Sequence, residues 1–224
     1  VELIEVPRRK VLWLEVGAMF ALADLGLLAQ YMLYGRGTYF AEFSSPRYNV
    51  QLLFTTLGIL LPLVFVLWIS GDRWSFFGLS RLRFNDCVWI RVLLALGFLS
   101  SMLYAAPINS PELAELGDWY SRPITPTSKI TALATLSVTA VWEEVYYRGY
   151  LVTRLEELTK NVWMGVVVSS MLFAAGHIYQ GPRGVLFTLG FGLLYGIAFV
   201  HRRSVWPLAI AHWLTNVVIV MLIP

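Results

Sequence analysis

The sequence predicts an all-α fold, a polytopic membrane bundle of about seven transmembrane helices, and three observations carry that prediction. The 224 residues are 58% hydrophobic and only 14% charged, whereas soluble domains hold about 25% charged residues. Seven apolar stretches approach or reach the roughly 20 residues that cross a hydrocarbon core. The connections between them are polar, and their lysines and arginines favour alternate sides. A spanning chain that is not a barrel must satisfy its backbone inside each segment, which leaves the helix as the only element.

The first stretch, about 11–33, follows "PRRK" and is too long, with no small-residue cleavage site, for a cleavable signal peptide. The second and third, about 49–69 and 88–108, are separated by "SGDRWSFFGLSRLRFND". The segment 109–127, "NSPELAELGDWYSRPITPT", is acidic and Pro-rich and reads as an extramembrane loop. A re-entrant piece there would make an eighth helix. The remaining stretches lie at about 128–151, 162–178, 184–200 and 205–222. There is no internal repeat, so residues 1–224 read as one integral membrane domain. Within it, 125–222 carries the chemistry and 1–124 supplies accessory transmembrane helices.

Excess Lys/Arg marks cytoplasmic loops. A cytoplasmic N-terminus places Arg8, Arg9, Lys10, Arg73, Arg81, Arg83, Arg154, Lys160, Arg202 and Arg203 inside, with the C-terminus outside. The net charge of +3 is then a matter of topology and does not call for nucleic acid. Cys87 is the only cysteine, which excludes a disulfide framework and a cysteine metal cluster.

Ionisable groups within a membrane helix cost about 2.5–3.5 kcal/mol each on insertion scales and are functional candidates by default. Those groups are Glu15, Asp24, Glu143, Glu144, Arg148, His177 and His212, with Asn216 as a neutral partner. Glu144 and Arg148 are spaced i to i+4 with the acid first, the better order for a helical ion pair. Glu143 points about 100° away and has no local partner, the condition that suits a carboxylate to general acid–base work. A hairpin turning near "LTKN" puts Glu143 and His177 each 17 residues from Lys160, hence level on antiparallel helices. Phe173, a turn before His177, would shield the pair from lipid. His212 and Asn216 share a face and together offer two donors to a developing oxyanion. Gly192 and Gly196 form a small-xxx-small pair for close helix packing. Asp24 is better read as a polar contact to another helix than as a catalyst. Ser169 and Ser170 lack a nucleophile elbow.

"EEVYYR" at 143–148, "FAAGH" at 173–177 and "HWLTN" at 212–216 read as E-E-x-x-x-R, F-x-x-x-H and H-x-x-x-N. In this order they resemble the CAAX protease and bacteriocin-processing (Abi) family, relatives of the Ras-converting CAAX endopeptidase. "SVWPLAIAH" and "HIYQGPRGVLFTLGFGLLYG" are similar to its bacterial branch. The resemblance covers about residues 125–222 and implies a glutamate-type intramembrane endopeptidase in a bacterial cytoplasmic membrane. By its motifs, Glu143 and His177 activate water, while His212 and Asn216 stabilise the oxyanion. The implied substrate is a membrane-associated peptide or protein, processed at its C-terminus or leader, and the bacterial character points away from a prenylated one. No cofactor is expected. Two alternatives stay open: a zinc protease with Glu143, His177 and His212 as ligands, and a non-enzymatic scaffold or self-immunity protein.

Overall fold

A computed structural model describes residues 8–34, 45–105 and 125–222. These form seven helical rods, and no strand occurs among the described residues. Helix α1 runs Arg8–Phe20 and passes through a π segment, Ala21–Leu25, into Gly26–Tyr34. Helix α2 is Pro46–Ile69 and α3 is Asp86–Ala105. Helix α4 begins at Pro126–Glu143, continues as a π segment over Glu144–Val152, and ends with Thr153–Thr159. Helices α5, Val162–Ala175, α6, Gly181–Arg202, and α7, Trp206–Leu222, complete the bundle. The expected loop at 109–127 falls almost wholly outside the described residues, and with it any eighth helix.

Local chemistry sets these boundaries. Pro46 and Pro126 occupy first turns, where a missing N–H costs nothing. Ser45 and Thr125 cap them by accepting from the amides of Tyr48 and Ser128 at 3.4 and 3.2 Å. The expected hairpin does turn at "LTKN": Lys160 closes α4 with a left-handed φ of 60°, and Asn161 caps α5 through the amides of Trp163 and Met164. The sequence places the end of the fourth stretch at 151. The helix instead continues through "RLEEL" to Thr159, because Leu155 and Leu158 are buried.

Helix α6 packs along α5, α7 lies between α3 and α4, α2 packs on α4, and the start of α1 meets the end of α4. The small-xxx-small pair does bring helices close. A Cβ on Gly192 would stand 3.0 Å from Ser170 Cβ, and one on Gly196 2.8 Å from Val166 Cγ1. Rods Arg8–Ala29, Pro46–Ile69 and Ile178–Arg202 are long and apolar enough to cross a membrane. Large side chains such as Leu14, Phe54, Trp68, Ile130, Met171 and Leu186 face outward, as a lipid solvent permits.

One end of the bundle is closed by ion pairs. Arg154 is sequestered, its side chain 1% exposed, and reaches Glu15 at 2.9 Å, Asp72 at 2.7 Å and Glu157 at 2.9 Å. Arg8 adds bonds to Asp72 and Glu157, both at 3.0 Å. Beside them Arg203 pairs with Glu156 at 2.6 Å, and Arg202 pairs with Asp86. Arg8, Arg154, Arg202 and Arg203 thus gather at one end, as the charge rule places them. Arg154 is nevertheless no loop cation: three carboxylates from two helices and a loop draw it inside, and Glu15 is its partner.

Burial alone would raise the Asp72 carboxyl, but the bonds from Arg154 and Arg8 outweigh it and hold the group below its ordinary 3.8. A carboxylate held low in the folded state contributes stability above its unfolded value and loses it as pH falls through the folded one. Thermal unfolding in detergent should therefore move to lower temperature as pH drops below about 4. Asp72→Asn should flatten that acid limb. An unchanged acid limb in the variant would show that the network adds nothing.

Candidate active site

The charged motif straddles a change of helix type. Glu143 is the last α residue of its segment and Glu144 the first of the π segment. Such bulges frequently occur at functional sites. Here the segment turns the whole run Glu144–Val152 into the protein. Arg148 bonds Glu144 at 3.0 Å, the two side chains 1% and 0% exposed. The expected clamp is present, and the guanidinium also lies 4.5 Å over the Phe173 ring. Glu143 is not clamped. Its side chain keeps 12% exposure and faces His212 Nε2 at 3.6 Å.

His212 comes from α7, only six residues past the helix start at Trp206, and still reaches the level of the glutamates. The extension of α4 through "RLEEL" accounts for this, since it places Glu144 well inside the protein. His212 Nδ1 lies 2.8 Å from Glu144 Oε1. The Glu144 carboxylate, paired with Arg148, can only accept, so Nδ1 carries the proton. Nε2 is left toward Glu143. Phe191 and Tyr195 of α6 wall the imidazole at 5.1 and 6.0 Å between ring centroids.

His177 stands in the turn after α5, two residues beyond its last residue, Ala175. Its Nδ1 is 2.8 Å from the carbonyl oxygen of Phe173. A carbonyl also only accepts, so this imidazole too carries its proton on Nδ1 and offers Nε2 as a lone pair. Phe173 differs from its expected place. It is 2% exposed and sits among Arg148, Tyr147, His177 and Phe191. It is the packing centre of the site and no lipid shield, because α6 covers it. Asn216 lies half-buried one turn beyond His212 on α7.

Further contacts join partners that the sequence did not name. Glu144 is joined to His212 across 68 positions, which no local spacing could show. Asp24 accepts the hydroxyls of Tyr146 at 2.6 Å and Tyr147 at 3.1 Å, giving the anticipated polar contact its partners. Ser169 and Ser170 donate to carbonyls of Tyr147 and Val166, which uses both hydroxyls in packing.

A zinc site would need Glu143, His177 and His212 to converge. Among the described residues no three His, Cys, Asp or Glu side chains are grouped to hold a metal ion. The family model described as Rce1-like, type II CAAX prenyl endopeptidase Rce1-like, matches residues 125–218. No curated protein and no solved structure matches the chain.

Proposed function

Residues 125–218 belong to the Rce1-like type II CAAX prenyl endopeptidase family, and from that premise we propose that this integral membrane protein is an endopeptidase whose water is activated by Glu143 and His177. The observation that carries the reading is the Glu144–His212–Glu143 chain, 2.8 Å on one side and 3.6 Å on the other. Two carboxylates, Arg148 and the imidazole share a space that is largely buried, with Glu143 keeping 12% exposure. With Glu143 ionised and His212 protonated the four charges sum to zero. With the proton on Glu143 and a neutral His212 they sum to zero again. A low-dielectric site penalises net charge, so it admits these two forms and lets one proton pass between them.

In the first form Glu143 can take a proton from water, while His177 Nε2 accepts a hydrogen bond from the other O–H, which stays on the attacking oxygen, and orients the attack. The water oxygen bonds the scissile carbonyl carbon, and the C=O electrons move to oxygen. His212 Nε2–H and the Asn216 carboxamide are the donors for that oxyanion. Collapse of the intermediate breaks the C–N bond, and Glu143 delivers its proton to the leaving amine. The substrate is a membrane-associated peptide or protein, cut near its C-terminus or in a leader. Apolar side chains that face outward from the surrounding helices, such as Met171 and Leu186, support that reading.

The test uses purified, detergent-solubilised protein with two probes, a fluorogenic farnesylated CAAX peptide and the same peptide without the lipid. Wild-type protein is expected to cleave one or both, Glu143→Gln neither, and chelator should leave the rate unchanged. Folded wild-type protein that cleaves neither peptide would overturn the proposal. Loss on chelation with rescue by Zn²⁺ would overturn the metal-free mechanism. The ratio between the two peptides reports whether a prenyl group is wanted.

A further inference from the structure

Asp24 lies outside the matched segment, in the π segment Ala21–Leu25 of α1. It is nevertheless tied to the helix that carries Glu143. Both carboxylate oxygens are engaged, Oδ2 by the Tyr146 hydroxyl at 2.6 Å and Oδ1 by the Tyr147 hydroxyl at 3.1 Å. The two tyrosines then differ. Tyr146 stacks on Trp142 and Tyr150. Tyr147 meets Phe173 edge to face at 5.2 Å, and its backbone carbonyl accepts the Ser169 hydroxyl at 2.5 Å. Its phenolic oxygen stands 3.6 Å from where a Cβ on Gly176 would be, beside the residue that precedes His177.

We infer that Asp24 is a positioning residue for the reaction: through Tyr147 it holds Phe173 and the Gly176–His177 turn, and so aims His177 Nε2 at the water. The inference rests on the hydrolytic reading of Glu143 and His177. The physical route is short. Phe173 supplies the carbonyl that fixes the His177 proton on Nδ1, and its ring lies 4.6 Å from the imidazole. Tyr147 packs against that ring on another side. Freed from Asp24, the phenol can leave its place, and a membrane interior offers few other acceptors. Phe173 and the turn then lose a wall.

The experiment measures kcat and KM on whichever peptide the wild type cleaves, together with thermal stability, for Asp24→Asn, Asp24→Leu, Tyr146→Phe, Tyr147→Phe and the double variant Asp24→Leu/Tyr147→Phe. Misplacing a catalytic group by about 1 Å can cost roughly 10²-fold. Asp24→Leu and Tyr147→Phe should each lower kcat by about 10- to 100-fold with KM nearly unchanged. Asp24→Asn, which keeps one acceptor oxygen, should recover most of the rate. The double variant should be no slower than Asp24→Leu, since both changes break one link. Tyr146→Phe should lower stability and leave kcat in place. A kcat unchanged per folded molecule in Asp24→Leu, or losses that multiply in the double variant, would overturn the inference. If Asp24→Leu does not fold, Tyr147→Phe, which removes a single hydroxyl, decides alone. Glu143→Gln in the same preparation separates the two levels. An active Glu143→Gln defeats the hydrolytic reading, whereas an inactive one beside a fully active Tyr147→Phe defeats only the role of Asp24.

Discussion

Glu143→Gln should lower the rate of cleavage by roughly 10²–10⁴, the range for loss of a general acid–base group, while folded protein accumulates as in the wild type. Glu144→Gln should first lower the yield of folded protein. Glu143 is the more exposed of the two and has no bond to Arg148, so a neutral amide there leaves no charge stranded. Glu144 is fully enclosed and holds both Arg148 at 3.0 Å and His212 Nδ1 at 2.8 Å. Removing one partner of a buried ion pair costs about 3–5 kcal/mol, because the other charge is left without compensation. The first loss is therefore folded yield. A second follows in the protein that does fold. An amide can turn its NH₂ toward Nδ1, which leaves Nε2–H for the oxyanion but removes the lone pair that takes the Glu143 proton and keeps that carboxylate ionised as the base. Thermal unfolding and kcat measured on both variants check the division. Equal stability with equal residual activity would show that the two glutamates are interchangeable.

Asn216→Ala should reduce kcat by about 10²–10³, or about 2.7–4 kcal/mol in transition-state stabilisation, the cost of one oxyanion donor. KM should stay close to wild type, since the oxyanion exists only in the transition state. Asn216 is half-buried on the face of α7 that carries His212, and loss of its side chain opens little of the core. If its carboxamide serves only to join helices, the substitution costs about 0.6 kcal/mol of stability, the average for such bonds in a membrane, and leaves kcat in place. Both quantities are read from one detergent preparation. An active, slightly less stable Asn216→Ala would end the oxyanion role.

How far the molecule could be read in advance depended on how local each cause was. Helix existence follows from apolar runs and capping residues, all within a few positions of one another. All seven rods stand where those runs lie. The Glu144–Arg148 clamp was legible for the same reason, being an i to i+4 pair. The turn at Lys160 was legible from "LTKN". Helix ends were less so. The fourth helix outran its apolar pattern because α1, α5 and the 72–77 region cover it, and hydropathy cannot register cover supplied by distant segments.

The order of residues alone made this a bundle of apolar helices, with Glu15, Asp24, Glu143, Glu144, Arg148, His177, His212 and Asn216 as its polar exceptions and Glu144 already paired. What those groups touch came from the packing of helix on helix. It set His212 between the two glutamates, moved Phe173 from the rim to the centre, drew Arg154 in among three carboxylates, and gave Asp24 its tyrosines. The physical reason is one of range. A propensity, a cap or an i to i+4 pair acts within a single turn of helix, whereas a buried charge takes whatever partner the packing of other helices brings to it. In a low-dielectric interior it must have one, but nothing in the neighbouring residues says from which helix that partner comes.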